Sequence, residues 1–278
     1  MSKVEKALQK ARAMDEITTV QVSTNVPAPE TMIVNQTAEM AAFTTQIPRM
    51  SQKAVLVQPD MAEAKMIFPE MEDVRVVDAF RQIRTHILQG AAGGNCVVLV
   101  TSVVPHGGAS FVARNLAAAF AFDETKTALL VDCRLREPSL DQLVTDGLGK
   151  GLADYLRADD MDVARIIHDG GLPRLRLIPA GRKTALATEQ LGSHRMKDLI
   201  AHLRMRYPDR YIVLDTASPD ETADMAVLSA LADMVILVVP YGRVTEAQIW
   251  TAAKAIDEDK FLGVVFNDEP QPGRIIWN

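Results

Sequence analysis

The 278-residue chain carries 30 lysines and arginines against 36 aspartates and glutamates, a formal net charge of −6. With 48% hydrophobic and 24% charged residues it has a globular composition, which excludes wholesale disorder and fibrous architectures. The mildly acidic balance offers no global basic face for nucleic acid, and two cysteines, Cys96 and Cys133, are too few for a disulfide framework and lack zinc-site spacing.

The opening MSKVEKALQKARAMDE has no apolar h-region, and no stretch reaches the roughly 18 apolar residues of a spanning helix, so a cytoplasmic location is expected. Val4, Leu8 and Ala11 recur at helical spacing opposite Lys3, Glu5, Lys6 and Lys10, and Ser2 with Glu5 forms a capping-box pattern. This predicts a short amphipathic helix over residues 1–14. Over 15–73 the periodicity fades into Thr, Gln, Ala and Pro, with Pro27, Pro29, Pro48, Pro59 and Pro69 as breakers, which predicts a flexible linker. The globular domain is expected over 74–278.

Phe80, Ile83, Ile87 and Leu88 form an apolar stripe that predicts a helix over 78–88. Short apolar runs then alternate with helical segments. The runs at 97–100, 128–131, 175–178, 211–214, 234–239 and 261–266 are rich in Val, Ile and Leu without polar alternation, the pattern of strands covered on both faces. Helical patterns at 111–122, 195–206, 223–231 and 245–256 separate most of them. The fold class is therefore α/β, a mostly parallel sheet with helices on both faces.

In such sheets ligands bind at the carboxyl ends of the strands. The first run leads into TSVVPHGGAS and a helix, the setting of a phosphate-binding loop, where glycines let backbone N–H groups approach an anion and the helix N-terminus supplies positive potential. Gly107, Gly108, Ala109, Ser110 and Phe111 form the candidate cradle. Two other runs end in acids, Asp132 in LLVDCRLREP and Asp215 in YIVLDTASP. Ser110, Asp132 and Asp215 are the candidate metal ligands, and the two aspartates are the candidate catalytic groups if the site is active. The competing reading is a tight glycine turn and two capping carboxylates.

As a nucleotide loop the segment is defective. G-x-x-x-x-G-K-[ST] requires lysine before Ser110, where the chain has Ala109, and glycine where it has Val103. The missing ammonium is the charge that reaches the β and γ phosphates during transfer. Binding through backbone amides remains open; fast phosphoryl transfer is not expected.

These motifs resemble those of the bacterial tyrosine kinases of capsule and exopolysaccharide synthesis, P-loop NTPase-like autokinases, over about 78–268. The family loop reads T-S-x-x-P-G-E-G-K-S before N-L-A, and Thr101, Ser102, Pro105, Gly108, Ser110 and Asn115-Leu116-Ala117 match it. Its second motif, D-x-D-L-R-x-P, is matched by Asp132, Leu135, Arg136 and Pro138, with Arg134 in place of the second acid. Its third motif is matched by Asp215-Thr216, and GLADYL, IPAG and GVVFN also follow the family pattern. The resemblance implies ATP or ADP as ligand and Asn267 near the adenine. It also implies a membrane chain-length determinant (polysaccharide co-polymerase) or a catalytic kinase paralogue as partner, and a homo- or hetero-oligomer. Asp78, Arg81 and Arg84 match its E-x-x-R-x-x-R oligomer helix with Asp for Glu, and a solvated charged face is the alternative.

The departures fall on what defines a kinase. The loop lysine is absent, Arg134 replaces an acid and argues against Mg2+, and none of the four tyrosines lies in the tail that ends GRIIWN. A catalytically impaired regulatory or assembly partner in polysaccharide export is the expectation, with peripheral membrane association through a partner. The alternatives are an active ATP-dependent kinase or ATPase with an unusual loop, and a chromosome-partitioning-type ATPase whose basic stretches (Arg174, Arg176, Arg182, Lys183, Arg204 to Arg210) would meet DNA. Arg134 is read in two ways: as a substitute phosphate-site cation or as an outward arginine in a salt bridge. His86, His106, His168, His194 and His202 show no metal spacing, and only His106 lies in the loop. The apolar residues Ile275, Ile276 and Trp277 are expected to pack on this domain or a neighbour.

Overall fold

The computed structural model describes residues 58–71, 73–91, 94–144 and 149–268. The expected N-terminal helix, most of the expected linker and the Ile275 to Trp277 tail lie outside the described residues. Seven strands form one sheet: β1 (Val97–Ser102), β2 (Thr127–Asp132), β3 (His168–Asp169), β4 (Leu175–Ile178), β5 (Arg210–Asp215), β6 (Met234–Pro240) and β7 (Phe261–Asn267). Their spatial order is β3-β4-β2-β5-β1-β6-β7, and every neighbouring pair is parallel except β3 with β4.

The strands run apolar without alternation because both faces are covered. Leu99, Leu129, Ile212 and Leu237 enter one core, while their neighbours Val100, Leu130, Val213 and Val238 enter the other. The second core is closed by α2 (Val74–Gly90) and α3 (Ala109–Ala121), after a short α1 (Gln58–Glu63). The first is closed by α4 (Leu152–Arg157), α5 (Ala187–Leu191), α6 (His194–Arg206), α7 (Asp224–Ser229) and α8 (Glu246–Lys254). The alanine-rich α3 buries ten of its residues, and these small side chains let it lie close on the sheet. At its far end the Phe120 ring stacks on Tyr211 of β5, with centroids 4.3 Å apart.

Every strand expected from the apolar runs is present, 175–178 with the expected bounds and the others longer by one or two residues. The two-residue β3 and the five-residue α5 were too short to leave a periodic signal. Helix α2 starts earlier than expected because Asp73 caps it, accepting from Arg75 N–H at 3.3 Å.

The linker reading of 15–73 requires correction at its end. Residues 58–71 are packed: Met61, Met66 and Ile67 are buried against α3. Asn115 of α3 holds this segment by accepting from Ile67 N–H (2.7 Å) and donating to Lys65 C=O (3.0 Å). Arg114 donates to Ala64 C=O at 2.8 Å. Pro59 falls in the first turn of α1, where a helix has no intrahelical N–H bond to lose, so it does not act as a breaker. Among the described residues, no helix is long and apolar enough to cross a membrane.

Candidate nucleotide site

The turn after β1 is held from several sides. Ser102 Oγ donates to Val104 C=O (2.7 Å), Val103 N–H to Val238 C=O (2.9 Å) and Gly107 N–H to Val104 C=O (3.2 Å). From the turn after β6, Arg243 donates to His106 C=O (3.1 Å), and from the end of β7 Asn267 Nδ2 donates to Gly107 C=O (3.4 Å). Gly108 caps α3 with φ +99°, a conformation that favours glycine, and a Cβ there would collide with the Asn267 carboxamide. A Cβ on Gly107 would stand 2.8 Å from Ser102 Cβ. His106 is also left-handed, at φ 55°, where the family loop has glycine.

The next residue decides the chemistry available to the loop. Ala109 is 3% exposed and packs into the core beneath α3, so position 109 contributes no charge to the turn. Ser110 follows, half-buried at the start of the helix, with Phe111 beside it.

Asp132 and Asp215 face each other across adjacent strands, paired in register, and both are fully buried. The turn after β2 wraps Asp132: Oδ1 accepts from Arg134 N–H (3.0 Å), and Oδ2 accepts from Ser139 N–H (2.8 Å) and Leu140 N–H (3.0 Å). Ser139 Oγ donates to Asp215 Oδ2 at 2.7 Å, while Asp215 Oδ1 and Thr216 Oγ1 are buried without a hydrogen-bond partner. Burial, and then the Asp215 charge, push the Asp132 carboxyl up to about 7 against the pull of three amides. Burial also raises Asp215, opposed by the hydroxyls of Ser110 and Ser139 and by the charges of Arg134 and Arg114.

Arg134 makes the salt bridge of one sequence reading, to Glu137, but it is not outward, since its side chain is only 11% exposed. It folds onto its own turn, donating through Nε to Glu137 C=O (3.3 Å) with the Glu137 carboxylate 3.6 Å away. Arg136 points elsewhere, into a buried network in which Asp224 accepts from Arg136 (2.7 Å) and from Thr188 Oγ1 (2.5 Å). Ser139, Arg114, Arg243 and Asp224 were missed from sequence because no motif marks them; the side-chain partners named for them lie 36 or more residues away and only folding brings them close.

Asn267, expected near an adenine, meets the loop glycines themselves, because β7 ends beside the turn. On α2, Asp78 and Arg81 pair with each other at 2.9 Å on the surface, and Arg84 turns inward to donate to Ala119 C=O of α3 (2.9 Å). The arginines offered for DNA are largely engaged within the chain. Arg176 pairs with Asp169 (2.8 Å), Arg204 pairs with Asp233 (3.0 Å), and Arg210 is buried 3.7 Å from the centre of the Tyr207 ring. Burial and neighbouring acids raise the Cys96 thiol to about 12 and Cys133 well above its usual value, so neither is a ready nucleophile.

The residues present match the family's magnesium site only in part. Both Asp132 oxygens accept from backbone amides and Asp215 Oδ2 accepts from Ser139, which leaves Asp215 Oδ1 as the one carboxylate oxygen of the pair without a partner, and an arginine stands where the family motif has its second acid. Among the described residues, no cluster of three or more His, Cys, Asp or Glu could hold a metal.

No family model matches the chain. It is 33% identical over 196 residues to EpsB of Ralstonia solanacearum, covering 69% of this chain and 25% of that protein. It is 32% identical over 179 residues to the tyrosine-protein kinase CpsD of Streptococcus pneumoniae, covering 62% of this chain and 75% of CpsD. The chain belongs to the bacterial tyrosine-protein kinase family. It is also 29% identical over 241 residues to the succinoglycan biosynthesis transport protein ExoP of Rhizobium meliloti, covering 79% of this chain and 30% of ExoP. The chain thus spans about a quarter of the length of EpsB and three quarters of CpsD. Among solved structures, the kinase domain of BceF superposes with a TM-score of 0.62 at 25% identity, over 84% of this chain and 91% of that domain. A ParA family ATPase of Chlorobium tepidum shares the fold at a TM-score of 0.51 and 22% identity, over 63% of this chain and 74% of that one.

Proposed function

We propose that this member of the tyrosine-kinase family holds an adenine nucleotide without transferring its phosphate, and acts as a regulatory or assembly partner in exopolysaccharide or capsule biosynthesis and export. The observation that carries the reading is the buried Ala109 side chain at the start of α3. Phosphoryl transfer relies on fixed positive charge at the β and γ phosphates, and removing one such stabilising donor from an enzyme costs on the order of 10²–10³ in rate. Backbone N–H groups at 108–111, the start of α3, still suit a phosphate, so ADP or ATP binding survives the loss.

The export context rests on the relatives, one of which is a succinoglycan biosynthesis transport protein. On this reading the chain works in the cytoplasm against a membrane chain-length determinant or a catalytic paralogue. The exposed Asp78 and Arg81 belong to the assembly surface. Calorimetric titration with ADP and ATP, with and without Mg2+, tests the reading alongside Ala109→Lys. Binding with no turnover supports it; ATP consumption or tyrosine phosphorylation by the parent chain favours the active-kinase alternative.

A further inference from the structure

We infer that Arg134 replaces the divalent cation at this site, so that the loop takes its nucleotide free of metal. The inference rests on the nucleotide-binding reading above and gives it a specificity: a nucleoside diphosphate or triphosphate as the bare anion.

Asp132 and Asp215 lie side by side at zero exposure, and such a pair needs a cation or a shared proton nearby. The family pattern places a third acid two residues after Asp132, which demands an external cation. Here that residue is an arginine. Its backbone N–H is bonded to Asp132 Oδ1, which fixes it in the turn that wraps both acids. Its side chain is nearly buried, and Glu137 restrains the guanidinium through a carbonyl and a carboxylate.

The same turn delivers the Ser139 hydroxyl to Asp215, so three of the four carboxylate oxygens of the pair are hydrogen-bonded within the chain and only Asp215 Oδ1 is left without a partner. A guanidinium is permanently charged and weakly hydrated, which suits it to a buried position among carboxylates and phosphates. The guanidinium, held in the turn that wraps the pair and shared with the exposed Glu137 carboxylate, places a fixed positive charge there, and a divalent ion brought beside it would be repelled.

The test uses the full chain, Arg134→Asp and Arg134→Gln, with two readouts: Mn2+ binding by electron paramagnetic resonance without nucleotide, and the ADP dissociation constant in Mg2+ or in EDTA. The parent should bind no Mn2+ and should hold ADP equally in both buffers, within about twofold. Arg134→Asp restores the acid; it should bind Mn2+, gain thermal stability when Mg2+ is added, and hold ADP about tenfold more tightly with Mg2+ than in EDTA. Arg134→Gln should weaken ADP binding without gaining Mn2+, which keeps the test decisive if the aspartate variant misfolds. Mn2+ bound by the parent, or parent ADP binding that collapses in EDTA, would overturn the inference. If the parent binds no nucleotide in either buffer, the nucleotide reading fails, while the Mn2+ comparison still judges Arg134.

Discussion

The carboxamide of Asn267, at the end of β7, occupies the space that a Cβ on Gly108 would need, so the last strand of the sheet rests on the N-cap of the helix that begins the candidate site. Gly108→Ala should lower stability by about 1–2 kcal/mol for the left-handed backbone alone, with a further cost for the displaced amide. Because the steric part depends on Asn267, the Gly108→Ala/Asn267→Ala pair should lose less than the sum of the single variants in a urea double-mutant cycle. Strict additivity would mean that the contact carries no energy.

His106 makes the opposite prediction. It adopts φ 55° where the family loop has glycine, and its carbonyl is held by Arg243. His106→Gly should raise stability by about 0.5–1 kcal/mol, since the relief of the left-handed strain exceeds the entropy that glycine adds to the unfolded chain. A chemical-denaturation midpoint that falls would show the strain to be absent.

Asn115 was legible in the sequence only as part of N-L-A, and its physical task is to hold residues 64–67 on α3. Asn115→Ala leaves a buried amide and a carbonyl without partners, at about 1–3 kcal/mol. Amide hydrogen exchange should accelerate around Met66 and Ile67 before the strands are affected. Unchanged protection there would contradict the docking role.

How far the sequence could be read follows from the range of each interaction. Continuous Val, Ile and Leu runs exposed the strands because burial on both faces leaves a local imprint, and Asp132 and Asp215 stood out as acids at the ends of those runs. Ser139 and Arg243 left no such imprint, since their roles depend on loops meeting across the sheet. The linker was drawn too long because its prolines drew attention away from Met61, Met66 and Ile67, whose cover comes from α3. Arg134 was visible as a departure from the motif, but its restraint by Glu137 was not.

The buried acid pair sets a pH dependence. The Asp132 carboxyl sits at about 7 in the folded chain, above its unfolded value, so the folded state binds more protons between roughly pH 4 and 7. Its stabilising contribution is full below the unfolded value and is lost as pH rises through 7; Asp215, also raised, acts in the same sense. Urea melts from pH 4.5 to 8 should show this decline, and Asp132→Asn should flatten it, whatever that variant's overall stability. A parent profile that rises across the window would contradict the assignment.

The central claim is that the loop binds nucleotide without transferring phosphate. Calorimetric injection of ATP into the full chain reads both events in one cell, as a saturating binding heat and as a sustained heat of turnover. The account predicts saturable binding with no sustained heat and no phosphotyrosine on the recovered protein. Sustained turnover by the parent would contradict it.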